Sequence, residues 1–196
     1  DCKIVGIGPG FSFPYDGPTH HGIQDLYLMY LIPEMEIINI SDNNLAEKIS
    51  RNILKIKGPV YIRLDKGISN FNENVAYKIN KGFEFTYLNK KNKKLIISSG
   101  KIIEIANQVS ESLQECDVIN FFRFKKFNES LFKNIIKRYK KIIIFDENSY
   151  NGGISPIINN MLINIRYKGD VKYLTLPDKQ IFFYNTDRSE LLKKFK

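Results

Sequence analysis

The segment Asp16-Gly17-Pro18-Thr19-His20-His21-Gly22 carries both histidines of a 196-residue chain, and no other stretch concentrates as much usable chemistry. Imidazole titrates closest to neutrality of all side chains, so His20 or His21 can give or take a proton under ordinary conditions. A carboxylate, Asp16, stands shortly before them, with Gly17 and Pro18 between. Glycine adopts unusual backbone angles and proline fixes its own, which makes this a shaped loop and not a helix face. A purely structural loop is the competing use, with Asp16 as a turn acceptor and His20 on the surface. Adjacent histidines lack a third ligand at suitable spacing, so no metal site is expected.

Arg63 lies in the strand-like run Pro59-Val60-Tyr61-Ile62-Arg63-Leu64. A guanidinium inside a sheet is costly unless it meets an anion. That anion is either a carboxylate, with Asp65 or Glu47 as candidates, or the phosphate of a ligand. Asp146-Glu147-Asn148 follows the apolar run KIIIF and precedes Gly152-Gly153. Two carboxylates there could serve acid–base work, but such clusters more often cap a helix and fix a loop, which is the use expected here. Gly6-Ile7-Gly8-Pro9-Gly10 superficially suggests a dinucleotide loop. Its third glycine comes one position early, Pro9 removes an amide, and no helix follows directly, so that use is rejected.

The bulk composition excludes several classes. A hydrophobic fraction of 43% with 14 Phe and 11 Tyr excludes a disordered chain. Lys and Arg total 30 against 21 Asp and Glu, a net charge of +9. The basic runs at 90–94 and 137–141 each precede an apolar strand-like run. They fit turns and a helix C-terminus, where cations complement the dipole, and no nucleic-acid partner is expected. Cys2 and Cys116 lack metal-ligand spacing and read as reduced thiols of a cytoplasmic protein. No apolar run is long enough to span a bilayer, so no membrane is expected either. The chain opens on Lys3–Ile7, which reads as a buried strand; a start in mid-core suggests a C-terminal section of something longer.

Two alternating units must position these groups. In the first, strands at 3–7, 36–40 and 59–64 alternate with helices at 23–32 and from Ser41 or Asp42 through Lys57. Residues 8–22 form the Gly/Pro-rich loop. Strand–helix alternation is the pattern of a parallel α/β sheet, whose ligands sit beyond the C-terminal strand ends. The loop with His20 and the end of the strand with Arg63 both fall on that edge. Residues 68–81 read as an Asn-rich linker between units 1–67 and 82–196. The second unit has strands at 83–88, 95–98, 117–122, 141–145 and 171–175. Its helices are at 102–113, 129–138, 154–165 and 187–195, with a loop at 146–153.

Taken in order, these strings resemble the C-terminal half of the transketolase family, including the related deoxyxylulose-phosphate synthases. Asp16–Asp25 is similar to the family's D-G-x-T-H-[QH]-x-x-x-D. The strings LIPEMEIINISDNN, GPVYIRLDKG, FDENSYNGGISPIINNML and LPDKQIFFYNTDRSEL continue the likeness over nearly the whole chain. Ser41 and Phe127 stand where the family usually has proline. Gly8 and Pro9 stand where its sugar-phosphate members carry a further phosphate-binding His or Arg.

The resemblance implies an α/β fold: the end of a parallel-sheet pyrimidine-binding domain, then a three-layer C-terminal domain with a mixed, mostly parallel sheet. It implies transfer of a two-carbon ketol unit between sugars or sugar phosphates, using thiamine diphosphate and Mg²⁺. His20 would act at the reacting centre and bind substrate, Asp16 would read a substrate hydroxyl, and Arg63 would hold a phosphate. The family's cofactor-binding residues precede residue 1, so no cofactor is expected to bind this chain alone. An N-terminal section or subunit and a homodimer are the implied partners. The alternatives are a dimerisation or scaffold module without chemistry, a 2-oxo-acid dehydrogenase beta subunit, and a deoxyxylulose-phosphate synthase-like enzyme.

Overall fold

The computed structural model describes residues 1–67, 69, 74–183 and 185–195. Strands β1 (Lys3–Ile7), β2 (Glu36–Asn39) and β3 (Val60–Leu64) form a parallel sheet in the order β1-β3-β2. A 3₁₀ turn at Pro14–Thr19 and helix α1 (Asp25–Leu31) lie between β1 and β2. Helix α2 (Asn43–Ser50) and a 3₁₀ turn at Ile53–Lys55 connect β2 to β3.

The second sheet contains β4 (Phe83–Tyr87), β5 (Lys94–Ser98), β6 (Cys116–Phe121), β7 (Lys141–Ser149) and β8 (Asp170–Leu176), in the order β4-β6-β5-β7-β8. Only β4 runs antiparallel to its neighbour, so the sheet is mixed and mostly parallel, as expected. Helices α3 (Ile103–Leu113), α4 (Glu129–Ile136), α5 (Ser155–Asn164) and α6 (Arg188–Phe195) complete the chain. Side chains alternate across a strand, and β5 uses both faces. Leu95 and Ile97 pack with Phe132 of α4 and Ile158 of α5, whereas Ile96 packs with Ile103 and Ala106 of α3. Helices thus cover both faces, which makes three layers.

The two sheets share one hydrophobic cluster, in which Leu26, Ile37 and Tyr61 meet Phe121, Phe124 and Ile144. Backbone bonds stitch β2 to the segment after β6: Asn39 N–H donates to Phe122 O at 2.9 Å and Phe124 N–H to Ile37 O at 3.1 Å. A buried ion pair, Glu36–Arg123 at 3.3 Å, crosses the same seam. Its angle is too poor for a hydrogen bond, and Glu36 Oε1 instead accepts from the Lys125 and Lys126 amides.

Four expectations need correction. β1 is not buried: Ile4, Val5 and Ile7 are 39%, 52% and 66% exposed. The strand pairs only with β3, so its outer edge is open among the described residues. Helix α2 stops at Ser50, not Lys57. Arg51 N–H still reaches Glu47 O, but Asn52 N–H shortens to Ile49 O while its side chain takes Lys48 O, and the chain tightens into the 3₁₀ turn at Ile53–Lys55. β7 runs on through Ser149, where a loop was expected, and Ser149 pairs with Leu176. The linker at 68–81 lies partly outside the described residues. Its described part has no helix or strand, yet Tyr77 is buried with Ile38, Ile62 and Phe122, so it is no solvated tether.

Candidate functional site

The loop between β1 and α1 is closed at its base. Gly10 and Gly22 exchange backbone hydrogen bonds at 2.7 and 3.0 Å, pinching residues 10–22 into one unit. Inside it, the 3₁₀ turn is broken at Gly17, whose φ of 75° and ψ of −161° are open to glycine alone. His20 follows that break. Its imidazole is exposed, with Nδ1 3.0 Å from Thr19 Oγ1 and the ring tilted 6.2 Å from Phe13. Asp16 is also exposed.

His21 turns the other way. It is 6% exposed and meets Phe11 edge to face at 5.0 Å. Neither ring nitrogen has a partner of good geometry. Burial holds its pKa below the usual histidine value, against a smaller opposite pull from the Pro14 and Ile181 carbonyls.

Arg63 is 3% exposed and meets a carboxylate, though neither of the two proposed. Its fork grips Asp25, with Nε to Oδ2 at 2.9 Å and Nη2 to Oδ1 at 2.8 Å. Nη2 also donates to Gly22 O at 2.5 Å and Nη1 to Asn148 Oδ1 at 3.2 Å. Tyr61 donates to the same Asp25 at 2.9 Å, and burial with that carboxylate pushes the phenol pKa up. Gly6 pairs with Arg63 in register, and its lack of a Cβ lets the Tyr61 ring lie against the backbone of β1, with space left beside Tyr61 and Arg63. A cavity of about 300 Å³ occupies it, lined by Gly8, Pro9, His20, Asp25 and Arg63 among others. His20 and Arg63 thus reach one cavity, while Asp16 lies outside its lining.

The acidic cluster is a crosslink. Asp146 Oδ2 accepts from Ile154 N–H at 2.7 Å, at the start of α5. Glu147 Oε1 accepts from Phe11 N–H at 3.0 Å. Asn148 meets Arg63, and Asp65, once a candidate partner for Arg63, pairs with Arg188 at 2.8 Å. The amides of the glycine-rich turn are also occupied: Gly8 N–H donates to Leu64 O and Gly10 N–H to Gly22 O. Among the described residues, no three His, Cys, Asp or Glu side chains converge as a metal site. No described helix is long and apolar enough to cross a membrane.

Comparison with known proteins places this geometry. The family model described as the transketolase C-terminal domain matches residues 84–195, and the transketolase pyrimidine-binding domain matches residues 1–70. The chain belongs to the transketolase family. It is 28% identical over 179 residues to a 1-deoxy-D-xylulose-5-phosphate synthase of Alkaliphilus oremlandii, covering 88% of this chain and 28% of that protein. It is 27% identical over 166 residues to one subunit of an apulose-4-phosphate transketolase of Actinobacillus succinogenes, covering 83% of this chain and 53% of the relative. The chain therefore spans about a quarter to a half of these curated relatives. In fold it matches a split-gene transketolase described as an inactive beta4 tetramer, with a TM-score of 0.80 at 22% identity, covering 98% of this chain and 61% of that one. A transketolase from Campylobacter jejuni matches with a TM-score of 0.77 at 16% identity, covering 98% and 29%.

Within this transketolase-family chain, sequence reasoning passed over Asp25, Tyr61, Asn148 and Arg188. Asp25 closes the quoted loop motif and could have been taken with it. Arg188 had a subtler signal. It opens α6, where the helix dipole disfavours a cation, so its presence there calls for carboxylate partners.

Proposed function

We propose that this chain supplies the C-terminal part of a transketolase-like enzyme that transfers a two-carbon ketol unit between sugars or sugar phosphates. The observation that carries the proposal is the meeting of His20 and Arg63 on one cavity, within segments that match the family. The cavity lies at the C-terminal ends of β1 and β3, where parallel sheets take their ligands.

Thiamine diphosphate, when bound, supplies the stabilised carbanion that such transfer needs. The residues described here do not fit a diphosphate or its Mg²⁺. The Gly8 and Gly10 amides are already bonded, and the Arg63 fork is filled by Asp25. We therefore assign the cofactor and its metal to an N-terminal section or subunit. The open, apolar edge of β1 supports docking of that section, and a homodimer of the assembled enzyme is part of the same proposal.

Here the chain's own residues shape the substrate side. His20, exposed at the cavity, would donate a hydrogen bond to a substrate hydroxyl and exchange a proton with the reacting oxygen. Asp16, outside the cavity lining, would read a hydroxyl on a longer substrate. Arg63 has one Nη1 proton left for a substrate phosphate or hydroxyl, and its charge is largely balanced by Asp25. A second reading is favoured by the names of several relatives: condensation of a decarboxylated 2-oxo acid with an aldehyde, as a deoxyxylulose-phosphate synthase-like enzyme.

The test is reconstitution with the N-terminal section, assaying ketol transfer beside 2-oxo-acid condensation. His20→Ala should lower turnover by about a hundredfold while cofactor affinity holds. Unchanged turnover removes His20 from the site.

A further inference from the structure

The loop that carries His20 is anchored at a distance. Its first leg, Phe11-Ser12, is held by two carboxylates from different elements. Glu147 at the end of β7 accepts from Phe11 N–H at 3.0 Å, and Asp65 after β3 accepts from Ser12 Oγ at 3.0 Å. Ser12 Oγ in turn accepts from Lys66 N–H at 3.2 Å. Two carboxylates sharing this space would repel each other and drift. One cation holds both: Arg188 Nε donates to Glu147 Oε1 at 2.8 Å, Nη2 to Glu147 Oε2, and Nη1 to Asp65 Oδ1 at 3.0 Å. Burial alone would lower the guanidinium pKa, but the Glu147 and Asp65 charges outweigh it and push the value up. The second leg, at Gly22, is tied separately by Arg63.

We propose that Arg188, the first residue of the C-terminal helix, is a positioning residue for the His20 loop, acting through Glu147 and Asp65. The proposal deepens the substrate-side role argued for His20 and rests on it for its catalytic consequence. Its structural half stands by itself. Arg188 does not line the cavity, and its hydrogen bonds go to Glu147 and Asp65, so its effect on the site runs through the loop those carboxylates hold. The planar fork matters as much as the charge, because Glu147 is gripped by two nitrogens while a third reaches Asp65.

Hydrogen–deuterium exchange on the 196-residue chain tests the structural half without any assay of activity. Arg188→Met should raise exchange in peptides covering residues 10–22 by about tenfold, while β5 and β6 peptides keep their protection. Arg188→Lys should fall between, since charge returns without the fork. Glu147→Gln, which keeps an acceptor for Phe11 but loses the charge, should also loosen the loop, and it serves if Arg188→Met does not fold. Arg51→Met, at an exposed helix pair, should change nothing in the loop. Unchanged exchange at 10–22, or an equal rise throughout the chain, overturns the proposal. In the reconstituted enzyme, Arg188→Met should lower kcat by about tenfold, with partial recovery in Arg188→Lys. A loosened loop with unaltered kcat overturns the positioning role. An inactive parent enzyme would count against the ketol-transfer reading instead, and leave the exchange result standing.

Discussion

Asn148, near the end of β7, accepts a hydrogen bond from Arg63 of β3 at 3.2 Å, so the C-terminal sheet grips the middle strand of the N-terminal sheet. The next residue back, Glu147, points to the opposite side of the strand and reaches Phe11 and Arg188. Two consecutive residues on one strand thereby hold both ends of the His20 loop, one through Arg63 at Gly22 and the other directly at Phe11.

That arrangement makes the Arg63–Asp25 pair a structural weak point. Arg63 is nearly inaccessible, and its fork is satisfied by one carboxylate, one amide and one carbonyl. Removing one partner strands the other's charge in a low-dielectric setting. Asp25→Ala should cost about 3 kcal/mol of stability in chemical denaturation, the lower end for a buried pair because Asp25 keeps some solvent contact. Arg63→Lys should cost nearly as much, since a single ammonium cannot replace the fork. A loss under about 1 kcal/mol would show the pair to behave as an exposed one does.

How far the site could be read before the structure turns on which contacts are local. The Gly17-Pro18 punctuation marked the loop, and the α/β alternation put it on the ligand edge; both follow from short-range backbone chemistry. A guanidinium within a strand calls for an anion, and the sequence offers Asp65, Glu47 or a ligand phosphate for Arg63. The actual partner, Asp25, comes from α1, and only the three-dimensional arrangement of sheet and helix brings it there. The run Asp146–Ser149 has turn-forming residue types, which strands normally avoid. It stays extended because Asp146, Glu147 and Asn148 each find a buried partner, information absent from local sequence. β1 looked buried from its apolar residues, but burial of an edge depends on a neighbour.

Gly10 sits where the loop crosses Glu147. Its φ is +55°, and a Cβ there would lie 2.6 Å from Glu147 Cγ and Cδ. Glu147 cannot swing away easily, since Arg188 and Phe11 hold it. Gly10→Ala should therefore cost about 2 kcal/mol by combining backbone strain with the clash. Gly58→Ala provides the comparison, because φ there is +89° but no atom lies within 4 Å. Thermal unfolding should show Gly10→Ala as the more damaging of the two, and equal losses would mean that strain alone counts.

His21 gives the fold a pH dependence of definite sign. Burial holds its folded pKa below the unfolded value of 6.5, so the unfolded chain binds the proton more readily. Stability from this residue is complete above the unfolded pKa and is lost as pH falls through the folded one. His20, the neighbouring charge, works in the same direction once protonated. Melting curves between about pH 8 and pH 5 should show the parent losing stability more steeply than His21→Gln, in which the titration is gone. Parallel pH profiles would show that His21 keeps its ordinary pKa in the fold.

Strand β1 offers an edge that nothing described covers, with Ile4, Val5 and Ile7 all exposed. Unpaired backbone beside apolar side chains is a template for another strand, and proteins commonly protect such edges with lysine. Beside it, a cleft of about 420 Å³ is lined by Val5, Ile49, Ile53 and Ile62, extending the apolar surface onto the sheet's face. If the N-terminal section docks here, Val5→Lys should leave the chain folded by circular dichroism, because Val5 supports no core cluster. It should also weaken capture of that section by at least about tenfold, the effect of burying one unpaired charge at an apolar contact. An exposed control, Leu113→Lys, lies on α3 against the second sheet and outside the lining of that cleft, and should leave capture unchanged. Full capture by the Val5→Lys chain would move the docking surface elsewhere and leave the open edge of β1 without an assigned neighbour.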